Sequence, residues 1–128
     1  MAEQGSGEQK DRQPRRFLVD PSEFGKDPEA PWEPLTDEVA ATEVVAAYWQ
    51  HLAVCVLRDK YGVTVADELA RRLGTSSVVY LKRKVSGEYP VPFEELIGWV
   101  IACGDISLLP QLDSLDDLYP PGSRPASA

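Results

Sequence analysis

Residues 61–104 read YGVTVADELARRLGTSSVVYLKRKVSGEYPVPFEELIGWVIACG, and this stretch decides the fold. Two short segments of helical apolar period meet at Leu73-Gly74. In the first, Leu69 and Leu73 are four apart and share a face, with Val65 and Ala70 beside them. The spacing predicts a helix over Val65 to Leu73, with Thr64 as its N-cap. Gly74 permits the positive φ of a sharp turn, and Thr75, Ser76 and Ser77 follow. The next helix starts at Ser76 or Ser77 and runs to Val85. Val78, Leu81 and Val85 fall at i, i+3 and i+7 as its core stripe. Val79, Tyr80, Lys82, Arg83 and Lys84 lie on or beside its outer face, and Gly87 ends it. This is the pattern of a helix-turn-helix, whose second helix is the one that enters a DNA groove.

Downstream, Pro90 and Pro92 hold an extended link. A further helix is expected from Pro92 or Phe93 to Cys103, burying Phe93, Leu96, Ile97, Val100 and Ile101 and capped by Gly104. Ser114 suits the cap of a last short helix through Leu118. Upstream, Leu35 to Tyr61 reads as one long helix, with Thr36 as cap, Asp37 and Glu38 in its first turn and Gly62 after its end. Between Val44 and Leu57 only Gln50 and His51 interrupt the apolar run. A helix apolar nearly all round must be covered on several sides. The cover is either the N-terminal arm or a second copy, the latter giving a homodimer through helix 36–61.

The arm, residues 17–34, has Pro21, Pro28, Pro31 and Pro34, which rule out a long helix, among Phe17, Leu18, Val19, Phe24 and Trp32. It either wraps the domain or docks on a protein partner. Met1 to Arg16 is polar and reads as a disordered tail without a secretory core; residues 119–128 read as a second disordered tail. The expectation is an all-α protein: a small helical bundle over residues 35–118 containing a helix-turn-helix, with an extended N-terminal arm.

Charge adds a constraint. The 128-residue chain carries a formal −8. From Arg58 to Pro90, however, seven cations face four acids, a local +3 that leaves −11 on the remainder. A local basic face can hold phosphates, but weakly and with sensitivity to salt. Cys55 and Cys103 sit in apolar helical patterns and read as reduced thiols of a cytoplasmic protein. One histidine and two scattered cysteines give no metal-ligand spacing, and no cofactor is implied. His51 has no nucleophile or carboxylate pair to work with, and adjacent acids such as Glu94-Glu95 and Asp116-Asp117 do not face each other on a helix. An enzyme is therefore not expected. No apolar run reaches the roughly 20 residues of a membrane span.

From Leu57 to Gly104 the chain resembles the Cro/C1-type (Xre-like) helix-turn-helix family. The resemblance is carried by Leu57-Arg58, Gly62, Thr64, Leu69-Ala70, Leu73-Gly74, Ser76, the Lys82–Lys84 run, Gly87, Pro90 and Gly104. It implies a lambda-repressor-like fold and double-stranded DNA as partner. Two spacings, Thr64 to Leu69 and Gly74 to Gly87, are one residue longer than the family's. Ala66 stands near the place of its phosphate-binding glutamine.

The first expected function is a DNA-binding transcriptional regulator with helix 76–85 in the major groove. Ser76, Ser77 and Val79 would reach base edges, and Lys82, Arg83 and Lys84 would meet phosphates or bases. Tyr80 either bonds a phosphate or packs. Thr64 and Arg71 would add backbone contacts. The alternative is a protein-interaction adaptor, or an antitoxin-like partner protein, using the same fold with an acidic surface.

Overall fold

The computed structural model describes residues 17–34 and 41–122. The expected tail over 1–16 and the expected helix start at Leu35 to Glu38 lie outside them. Among the described residues, four α-helices form the body: α1 (Ala41–Tyr61), α2 (Val65–Leu73), α3 (Val78–Val85) and α4 (Phe93–Cys103). Short 3-10 turns lie at Pro21–Glu23, Gly62–Thr64, Ile106–Leu108 and Leu115–Leu118. The described residues contain no strand, only an isolated antiparallel bridge between Leu18 and Trp32. The protein is an all-α bundle.

The main core gathers one face of each helix. Ala53, Val54 and Leu57 of α1 meet Leu69 and Ala70 of α2, Leu81 and Val85 of α3, and Leu96 and Trp99 of α4. Val91, in the link before α4, and Leu108, after it, close the ends. The buried face of α2 is Val65, Ala66, Leu69 and Ala70, while Leu73 is more than a third exposed. Leu73 was expected inside, but it is the last helical residue, and Gly74 at φ +72° turns the chain away there. Thr64 occupies the cap position without capping: its hydroxyl donates to the carbonyl of Tyr61 at 2.8 Å instead.

The expected stripe of α4 is rotated. Leu96 and Trp99 are buried, with Val100 and Cys103 packed against the core, whereas Phe93, Ile97 and Ile101 are exposed at 41, 44 and 75%. Trp99 takes the inward direction, fully buried in the main core, and the side of the helix opposite it faces outward.

A second cluster covers the other side of α1. Leu18, Phe24, Ala30 and Trp32 of the arm are buried with Ala47, and Phe17 and Tyr48 pack beside them. Fully burying Leu18, Phe24 and Trp32 contributes roughly 5–9 kcal/mol before the entropy of ordering the arm is subtracted. The arm thus wraps its own domain. The buried side chains of α1 are covered by this chain itself, its arm being one of the two covers the sequence allows.

The region expected to begin a frayed C-terminal tail also packs. Pro120 is buried, and the Trp32 N–H donates to the Pro121 carbonyl at 3.2 Å. A Cβ on Gly122 would stand 2.6 Å from the Trp32 carbonyl oxygen. Residues 119–122 therefore belong to the domain. Just before them, Ser114 and Asp117 form a reciprocal capping box on the last turn.

Candidate nucleic-acid interface

The α2–turn–α3 unit is built by local chemistry. Gly74 in the left-handed region lets its own N–H bond to Arg71 O and that of Thr75 to Ala70 O, satisfying the last carbonyls of α2. The Thr75 hydroxyl then accepts from Ser77 N at 3.1 Å, which delays α3 until Val78. Thr75, Ser76 and Ser77 are exposed, as are Val79 at 63% and Tyr80 at 58%. The opposite face, Leu81 and Val85 with Val78 half-buried, seats α3 in the core as its spacing predicts.

The cations of this unit are not equivalent. Lys82 is exposed, and no acid pairs with it among the described residues. Arg83 lies 5.4 Å over the Tyr89 ring and donates to the Tyr89 hydroxyl at 3.1 Å. Tyr80 stands beside the same ring, centroids 6.2 Å apart, so Tyr80, Tyr89 and Arg83 form one surface stack. Stacking holds Arg83 in place without neutralising it. Lys84 is different. It is ion-paired with Glu95 of α4 and points back along the domain. Arg71 and Arg72 both bond Glu68, and Arg72 also lies over the Tyr61 ring at 5.4 Å. Hydrogen bonding to Arg71, then to Arg72, holds the Glu68 carboxyl below the usual range, and the same contact raises Arg71. Of the three consecutive cations, Lys82 and Arg83 have no carboxylate partner among the described residues. Arg71 and Arg72, with Glu68 between them, retain one net charge, and the exposed Thr64 donates its hydroxyl proton to the Tyr61 carbonyl.

What places α3 is a pair of buried polar side chains on α1. Gln50, 1% exposed, donates from Nε2 to Lys84 O at 2.8 Å and Tyr89 O at 2.9 Å, and accepts at Oε1 from Val91 N at 3.0 Å. It stitches the end of α3 to the link before α4. His51, fully buried, accepts at Nδ1 from Gly25 N at 2.8 Å. Its Nε2 lies 3.0 Å from Asp27 O and therefore carries the proton. Phe24 and Trp32 flank the imidazole. Burial pushes its pKa down, against the weaker raising effect of Asp27. His51 is structural: it pins the arm. The arm in turn supports α3, because Phe24 packs against Gly87, where an added Cβ would lie 2.8 Å from the ring.

Both cysteines are free, and burial pushes the Cys55 thiol up to about 12 and raises that of Cys103, so neither is an activated nucleophile. Among the described residues no group of three or more His, Cys, Asp or Glu side chains is placed to hold a metal. No described helix is long and apolar enough to cross a membrane.

The sequence carries no signal that places Gln50, Tyr89 and Glu95 around α3. The Glu68–Arg71 and Glu68–Arg72 pairs were available from i,i+3 and i,i+4 spacing. The Lys84–Glu95 pair and the Gln50 stitch join elements distant in sequence and leave no local pattern. No family model matches the chain, and no curated protein and no solved structure matches it.

Proposed function

We propose that this protein is a double-stranded-DNA-binding regulator that presents the exposed face of α3 to the major groove. The observation that carries the reading is the surface from Thr75 to Arg83. Hydroxyl-bearing Thr75, Ser76 and Ser77 and the apolar Val79 stand exposed at the start of a short helix. Lys82 and the stacked Arg83 follow on the same helix. Small residues at the N-terminal end suit close approach to base edges, and cations further along suit flanking phosphates. Lys84, paired with Glu95, contributes no free charge to this reading.

The charge ledger sets the strength. Lys82, Arg83 and the net charge of the Arg71, Arg72, Glu68 cluster amount to about three phosphate contacts, so log K should fall with log salt at a slope near −3. Raising salt from 50 to 200 mM then weakens binding about 40-fold, well short of the 1,000-fold or more of strongly basic binders. Gel shifts with genomic fragments at two salt concentrations test this. Loss of binding in Lys82→Ala with Arg83→Ala supports α3 as the reader, and unchanged binding rejects it.

A second reading, a protein-interaction adaptor, has two specific observations in its favour. Glu68 and Glu95 neutralise much of the basic segment, and Phe93, Ile97 and Ile101 line the exposed side of α4. A stable protein partner recovered from the native lysate in the absence of DNA, together with no duplex binding, would select it.

A further inference from the structure

Two adjoining cavities lie along α1 on the side carrying Leu52, Cys55 and Asp59. The first, about 480 Å³, is walled by Pro28 of the arm, Leu52 and Val56 of α1, and Leu109 and Pro110 after α4. The second, about 370 Å³, opens beside Arg58 and Gly62 near the end of α1. They share Lys26, Cys55 and Asp59, so they form one groove with an apolar and a charged end. Each falls within the size range of small-ligand sites, about 300–1,000 Å³.

Arg58 is the informative residue. Lys60, Arg71, Arg72 and Lys84 each have a carboxylate partner. Arg58, half-buried, has none among the described residues, and its Nε is shut off from solvent without an acceptor. A guanidinium with one edge sealed this way can be compensated only from the side that lines the groove. Lys26, on the arm across from α1, adds a second cation there, and Asp59 subtracts one. The net charge of the lining is one positive unit, which suits a monoanion better than a phosphate. A carboxylate fits the guanidinium fork with two parallel hydrogen bonds. The apolar end accepts a hydrocarbon or aromatic tail, and the protonated Cys55 thiol on the floor behaves as a small apolar group.

We propose that this groove is a binding site for a small amphipathic carboxylate, its head at Arg58 and Lys26 and its tail along Leu52, Val56 and Leu109. The site stands independently of the DNA-binding reading. Its outer wall belongs to the arm, which also carries the Phe24 contact beneath the end of α3.

The test is a titration of the ¹⁵N-labelled full chain with sodium octanoate and, in parallel, with 1-octanol, followed by amide shifts. Octanoate is expected to shift residues 52–59 and 109–111 saturably. Arg58→Gln should weaken octanoate about tenfold, the loss expected for one charge-assisted hydrogen bond, and leave octanol unchanged. Lys26→Gln, at an exposed position that folding tolerates, should weaken octanoate in the same direction. The proposal is overturned if octanoate gives no saturable shift, if its shifts centre on another face, or if every folded variant binds it as tightly as the parent chain.

Discussion

Replacing Gln50 by Met keeps the volume and helix propensity of the side chain and removes its three hydrogen bonds. The consequences at the three partners differ. Lys84 O also accepts from Gly87 N at 3.2 Å, so it keeps a partner. Tyr89 O and Val91 N have no second partner among the described residues; Val91 N is left unsatisfied in the interior and Tyr89 O in a part-buried position. Each such orphan costs about 1–3 kcal/mol, giving a total of about 2–6 kcal/mol against the 5–15 kcal/mol that holds a typical domain together. In a body of this size the melting temperature should fall by roughly 10–30 °C. Urea titration followed by circular dichroism gives the free energy. Hydrogen exchange adds a local readout, since the Val91 amide should be protected in the parent chain and fast in Gln50→Met. A loss below about 1 kcal/mol, with Val91 still protected, would refute the role assigned to this side chain.

Four further outcomes follow from the same structure. Gly87→Ala places a Cβ at φ +88° and 2.8 Å from Phe24, and should cost about 2–3 kcal/mol; Phe24→Leu in the same chain should recover the steric part but not the backbone part, as read by denaturant midpoints. His51 is neutral in the fold and its pKa lies below 6.5, so the unfolded chain takes up its proton first as pH falls. Stability should therefore hold above about pH 6.5 and decline below it by up to about 1.4 kcal/mol per pH unit, and a flat profile with the ring of this single histidine titrating normally by NMR would contradict the burial argument. Asp105 accepts from Lys60 and from Ser107, which holds its carboxyl down to about 2, so this contribution is present above the ordinary 3.8 and disappears between there and about 2; Asp105→Asn should flatten acid unfolding across that window. Glu68→Gln unmasks Arg71 and Arg72, and should tighten duplex binding and steepen its salt slope by about one unit, as read by fluorescence anisotropy.

The helices were legible because their cues are local. Val65 to Leu73 was read with its observed bounds, since Leu69, Gly74 and the hydroxyl run that follows act within a few residues. The two-sided burial of α1 was legible as a need for cover, and the spaced aromatics of the arm supplied the candidate that meets it. The rotation of α4 was not legible. Phe93, Leu96, Ile97, Val100 and Ile101 and the alternative centred on Trp99 are both apolar at helical period, and only packing in the main core decides between them. The candidate interface was legible as a face but not as a charge distribution. Consecutive Lys82, Arg83 and Lys84 look alike in sequence, yet each projects about 100° from the last around the helix, so they meet solvent, Tyr89 and Glu95 respectively. Gln50 and His51 looked like interruptions of an apolar run. They are the points where that run is tied to α3 and to the arm.

The most direct test of α3 as the DNA-contacting element is to select duplexes from a random-sequence pool and map the winning duplex onto the protein by amide shift perturbation. The reading predicts shifts concentrated from Thr75 to Arg83, weaker ones near Arg71, and recovery of a shared sequence among the selected duplexes. Failure to enrich any sequence, or perturbations confined to the exposed side of α4 or to the groove beside Arg58, would contradict it.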